Sequence, residues 1–153
     1  MAQVNSKEWH AGDGGHAQLE YNRDLQAHTL RIYGGSMQLP DGNSYELGIY
    51  INHPVSAGKF YFNTNPTPFT DNEWANGYAI VRRGETTFYT ANSIDGFVDI
   101  TSLTKESLKG TFEYTAVTNW SSTHAGGDTI KVKKGEFYIW LSNGSDMPWD
   151  GPK

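Results

Sequence analysis

Apolar and polar side chains alternate along this chain with a period of two. Between Tyr45 and Asn52, residues Tyr45, Leu47, Ile49 and Ile51 fall on one side, and Glu46, Gly48, Tyr50 and Asn52 on the other. An extended backbone sends successive side chains to opposite faces, so the pattern predicts a strand with one face on a core. The rhythm returns at Leu30 and Ile32, Phe60 and Phe62, Tyr78 and Ile80, Val98 and Ile100, Phe112 to Ala116, Ile130 and Val132, and Phe137 to Leu141. No stretch of a dozen residues carries apolar positions at i, i+3, i+4 and i+7, so helices are not expected. Turn-forming residues separate the runs, among them Asp13-Gly14-Gly15, Pro40-Asp41-Gly42-Asn43, Ala57-Gly58, Arg83-Gly84, Ile94-Asp95-Gly96 and Ala125-Gly126-Gly127-Asp128.

Strands at this spacing predict an all-β fold, an antiparallel meander of roughly nine or ten strands forming a lipocalin-like barrel or a β-sandwich. The chain of 153 residues fits one domain, with a core from about residue 7 to residue 141 and an irregular tail over 142–153. The stretch from Asn63 to Glu73 contains Pro66 and Pro68, which bars it from a central strand and makes it a loop over one end of the fold.

Composition narrows the chemistry. There is no cysteine, which removes disulfides, thiol nucleophiles and cysteine-bound metals and leaves the compartment open. The net charge is −5, and the one dense basic cluster, Lys131, Lys133 and Lys134, reads as the solvated side of a strand. A nucleic-acid partner is therefore not expected. No apolar run is long enough to span a bilayer. The first six residues lack the features of a signal peptide, which fits a cytoplasmic protein or an exported domain whose signal has been removed.

Catalytic patterns are missing. None of the five histidines lies at a metal-ligand spacing from another; His10 and His16, with Glu8 and Asp13, could meet across a hairpin, but they match no known ligand set. Glu8, Glu20, Glu46, Asp99 and Glu113 alternate with apolar residues and read as the solvent side of strands, not as an acid/base pair. Gly34-Gly35-Ser36-Met37-Gln38 lacks the closing glycine of a nucleophile elbow. The Asp13 and Asp41 turns lack the spaced ligands of a calcium loop. The expectation is no enzyme, no metal and no cofactor.

Aromatic residues stand out. Five tryptophans join nine tyrosines, and Tyr33, Tyr50, Tyr61, Tyr138 and Trp140 fall on the side of their strands away from the core. Tyr138 and Trp140 oppose Phe137, Ile139 and Leu141, so the last strand is expected to be buried on both faces or to line a cavity. Flat rings stack on sugars and enclose apolar molecules. The candidate ligand contacts are Trp74, Tyr78, Trp120, Tyr138 and Trp140, with Trp74 and Trp120 placed on loops at the rim. This makes the chain a non-catalytic binding domain for a glycan or a small apolar ligand. The alternative is that the rings only fill the fold, in a structural or protein-interaction domain without a small ligand.

Two strands of the C-terminal half carry a more distinctive pattern, Gly110-Thr111-Phe112-Glu113-Tyr114-Thr115-Ala116 and Asp128-Thr129-Ile130-Lys131-Val132-Lys133-Lys134-Gly135-Glu136-Phe137. They resemble the G-T-F-x-F/Y-x-A and D-T-I/V-x-V/I-x-x-G-x-F strands of a family of uncharacterised exported Bacteroidota domains, many of them predicted lipoproteins. Lys7 to Ala11 and Ala57 to Tyr61 resemble that family's opening and central strands more loosely. The resemblance implies a β domain of the bacterial cell envelope or exterior, with any lipid-anchor cysteine removed along with the export signal. It carries over no site residues.

Overall fold

The computed structural model describes residues 1–12, 15–62, 73–83, 87–118 and 127–141. These form ten strands: β1 (Ala2–Val4), β2 (Lys7–Trp9), β3 (Gly15–Asn22), β4 (Ala27–Gln38), β5 (Asn43–Asn52), β6 (Gly58–Tyr61), β7 (Trp74–Arg83), β8 (Thr87–Leu103), β9 (Ser107–Thr118) and β10 (Thr129–Trp140). All the pairings are antiparallel, in one sheet of order β2-β1-β10-β9-β8-β7-β5-β4-β3, with β6 on β8. The sheet curls into a half-barrel until β3 stands beside β10, where a Cβ on Gly15 would lie 3.3 Å from Ile139 Cδ1.

The alternation read from the sequence defines the inside. Leu30, Ile32, Leu47, Ile49, Ile51, Val98, Ile100, Phe112, Tyr114, Val132 and Ile139 are all buried. On β7 the large and small positions are inverted. Ala75, Gly77, Ala79 and Val81 face inward, while Tyr78 and Ile80 turn out. The rings of Phe62 and Tyr114 cause this, since a Cβ on Gly77 would lie 2.9 Å from each. Burial pushes the Tyr114 hydroxyl far above its ordinary pKa, and it donates to the Tyr78 carbonyl at 2.7 Å.

Two further features differ from the sequence reading. Ile94-Asp95-Gly96 is a β-bulge within the 17-residue β8, not a turn. Gly96 has φ +128°, and a Cβ there would lie 2.3 Å from the Glu113 carbonyl oxygen, so only glycine fits. Around this bend β8 pairs first with β7 and then with β6.

The sheet also begins at Ala2, ahead of the expected start near residue 7. Asn5 and Ser6 take positive φ in the tight turn that folds β2 back on β1. Trp9 is thereby driven into the interior, where its indole N–H donates to the Tyr45 carbonyl at 2.9 Å. The Asn63–Glu73 loop up to residue 72, and the tail over 142–153, lie outside the described residues.

Candidate ligand-binding face

Pairing in register places outward-facing side chains of β3, β4, β5 and β7 in transverse rows. One row runs His16, Tyr33, Gly48, Tyr78; the next runs Gln18, Arg31, Tyr50, Asn76. Beside the second row Trp74 pairs with Asn52. Gly48 has no side chain, and the Tyr78 ring lies over it: a Cβ there would come within 2.0 Å of Tyr78 Cζ.

Arg31 ties the rows together. Its Nη2 donates to the Tyr78 hydroxyl at 3.1 Å, and its Cζ lies 5.3 Å from the Tyr33 ring centroid and 5.8 Å from that of Tyr78. That hydrogen bond, helped by the carboxylates of Glu20 and Glu46, raises the guanidinium pKa further, so its charge is fixed and locally compensated. At one end His16 stacks on Tyr33 at 5.2 Å and 26°. At the other, Tyr50 stacks on Trp74 at 4.9 Å and 25°, and Trp74 remains 45% exposed. Four neighbouring strands place this stripe over about 14 Å, at three strand spacings.

The four expected contacts among the described residues do not converge on one place. Trp74 is the first residue of β7, not a loop residue, and shares its outer face with half-buried Tyr78. Tyr138 and Trp140 project from the outer face of β10, with β8 and β9 between them and β7. They form an edge-to-face pair at 5.6 Å and are 60% and 66% exposed. Strand β10 is therefore buried on one face only, because β1 and β9 flank it edge to edge and no described element covers its outer side. Trp120 lies outside the described residues.

Arg31, Tyr33, Tyr50 and His16 complete the stripe and were not among the expected contacts. Their signal was present in the phase of Arg31, Tyr33 and Tyr50, which oppose the core positions of β4 and β5. What the sequence did not show was the pairing of β5 with β7 that sets Tyr50 against Trp74 and Asn76.

The titratable groups are dispersed. Glu113 holds Lys133 at 3.3 Å, Asp95 accepts from the Thr115 backbone N–H, and His53 Nε2 lies 3.5 Å from Glu73. Among the described residues no three histidines or carboxylates gather as a metal site. Among them, too, no helix is long and apolar enough to cross a membrane. No family model, curated protein or solved structure matches the chain.

Proposed function

We propose that this chain is a non-catalytic glycan-binding domain of the bacterial cell envelope or exterior, holding its ligand on the outer face of β3, β4, β5 and β7. The observation that carries the reading is the ring stripe from His16 to Trp74, braced by Arg31 and flanked by Gln18 and Asn76. A sugar ring has an apolar C–H face that stacks on a flat aromatic surface and a rim of hydroxyls that take hydrogen bonds. A stripe of rings beside planar amides and a guanidinium offers both. Whole small apolar ligands fit less well, because the cavity walled by Ile32, Leu47 and Phe112 is about 120 Å³, against roughly 300–1,000 Å³ for pockets that enclose such molecules. The envelope setting is supported by the likeness of β9 and β10 to exported Bacteroidota domains.

Calorimetric titration with a panel of soluble oligosaccharides tests this. Trp74→Ala or Tyr50→Ala is expected to weaken binding at least tenfold, about 1.4 kcal/mol, while Tyr138→Ala and Trp140→Ala leave it unchanged. Binding that survives loss of both Trp74 and Tyr50 would remove the site.

One observation favours the alternative of a protein-interaction domain. Among the described residues β3 has a single strand partner, β4, along its whole length, and such an edge can accept another chain's strand. Light scattering separates the readings, since a strand-edge contact between copies gives a dimer in the absence of sugar.

A further inference from the structure

Where β3 and β10 stand side by side, no backbone ladder joins them. Among the described residues the backbone of β3 is laddered only to β4, and β10 bonds to β9 and, through Met1 to Val4, to β1 as far as Glu136. Beneath this seam lies a partly open cavity of about 120 Å³. Its lining is mostly apolar, with Trp9, Ile32, Leu47, Phe112, Phe137 and Ile139, and Tyr33, Glu136 and Tyr138 are its polar members. The indole N–H of Trp9 is already bonded to Tyr45, and His28 Nε2, a buried polar atom left without a partner, does not line the space. A water needs two to four polar partners to be held, so a lining of this kind favours an apolar guest. Voids of roughly 150 Å³ walled by Leu, Ile and Phe take up benzene or xenon.

We propose that the seam cavity is a binding site for one small apolar group, an aromatic ring or short alkyl end of about benzene's size, which enters between β3 and β10. Gly15 keeps this passage narrow but open, since even a Cβ there would press on Ile139. Of the outer stripe only Tyr33 and Gly48 reach this lining; Arg31, Tyr50, Trp74 and Tyr78 take no part in it.

Benzene is the probe, and methyl-detected NMR of the wild-type chain is the readout. Benzene should shift the methyl signals of Ile32, Leu47 and Ile139 in a saturable way and raise the unfolding midpoint, because a ligand bound only by the native state stabilises it. Ala11→Phe, which fills the space from its rim, should abolish both effects. Leu47→Ala, which enlarges the space, should bind n-butylbenzene at least tenfold more tightly than the wild type. Unmoved methyls in the wild-type titration would overturn the proposal whether or not either variant folds, as would benzene shifts that persist undiminished in a folded Ala11→Phe.

Discussion

Tyr78 occupies the space that a side chain at position 48 would need, so the ring and the missing side chain form one unit. Gly48→Ala is expected to cost about 1–3 kcal/mol, the usual range for overpacking. The loss should nearly vanish in a Tyr78→Ala background, where the obstacle is gone. Urea unfolding of the four chains of this double-mutant cycle measures it, and equal losses in both backgrounds would refute the packing. In the sequence, Tyr78 was legible as a large ring on a strand, but Gly48 read only as a polar-side position. The reason is that alternation assigns faces within a strand, whereas the ring reaches Gly48 from the next strand in the sheet.

A second residue sets a pH dependence. In the β4–β5 turn the Asp41 carboxylate accepts from the Asn43 backbone N–H at 2.9 Å and from the Tyr45 hydroxyl at 3.1 Å. Partial burial alone would raise its pKa, but these hydrogen bonds outweigh it and hold the group below the usual 3.8. A carboxyl more acidic when folded stabilises the native state above its unfolded pKa and loses that contribution as pH falls through the folded value. Asp41→Asn should therefore lose less stability than the wild type between about pH 4 and pH 2. Superimposable acid limbs in chemical unfolding would show that the turn carboxylate contributes nothing.

At the scale of elements, Trp9 ties the β1–β2 hairpin to β4 and β5. Trp9 packs over Gly34, where a Cβ would lie 2.5 Å from the indole, and bonds to the β5 carbonyl of Tyr45. Trp9→Ala should cost about 3–5 kcal/mol, as for other buried aromatic truncations. Amide exchange should accelerate at Gln3 and Val4 well before it does in β5, and a loss below about 1 kcal/mol would mean that Trp9 does not anchor the hairpin.

This hairpin was only half legible. Lys7 to Trp9 could be read as a strand, whereas Ala2 to Val4 is too short to show a period and becomes a strand only by pairing with distant β10. β10 shows the opposite limit. Its two apolar faces were plain in the sequence, but nothing there said that the outer one, with Tyr138 and Trp140, is left uncovered. The bulge at Gly96 was read as a turn because the same residue types serve both, and the long β8 ladder decides between them.

At the scale of the molecule, the half-barrel divides the aromatic side chains into two populations. Phe62, Phe112, Tyr114 and Trp9 fill the inside, while Tyr33, Tyr50, Tyr78 and Trp74 lie along the outside of adjacent strands. The all-β class and most core positions followed from period two alone. The outer stripe did not, because it needs the strand order β3-β4-β5-β7, and local periodicity carries no information about which strands become neighbours. The most direct test is a two-dimensional NMR titration of the intact chain with an oligosaccharide that binds it. Binding on the outer stripe predicts that the perturbed signals centre on Arg31, Tyr33, Tyr50, Trp74 and Tyr78. Perturbations centred on Tyr138 and Trp140, or spread along the seam between β3 and β10, would contradict it.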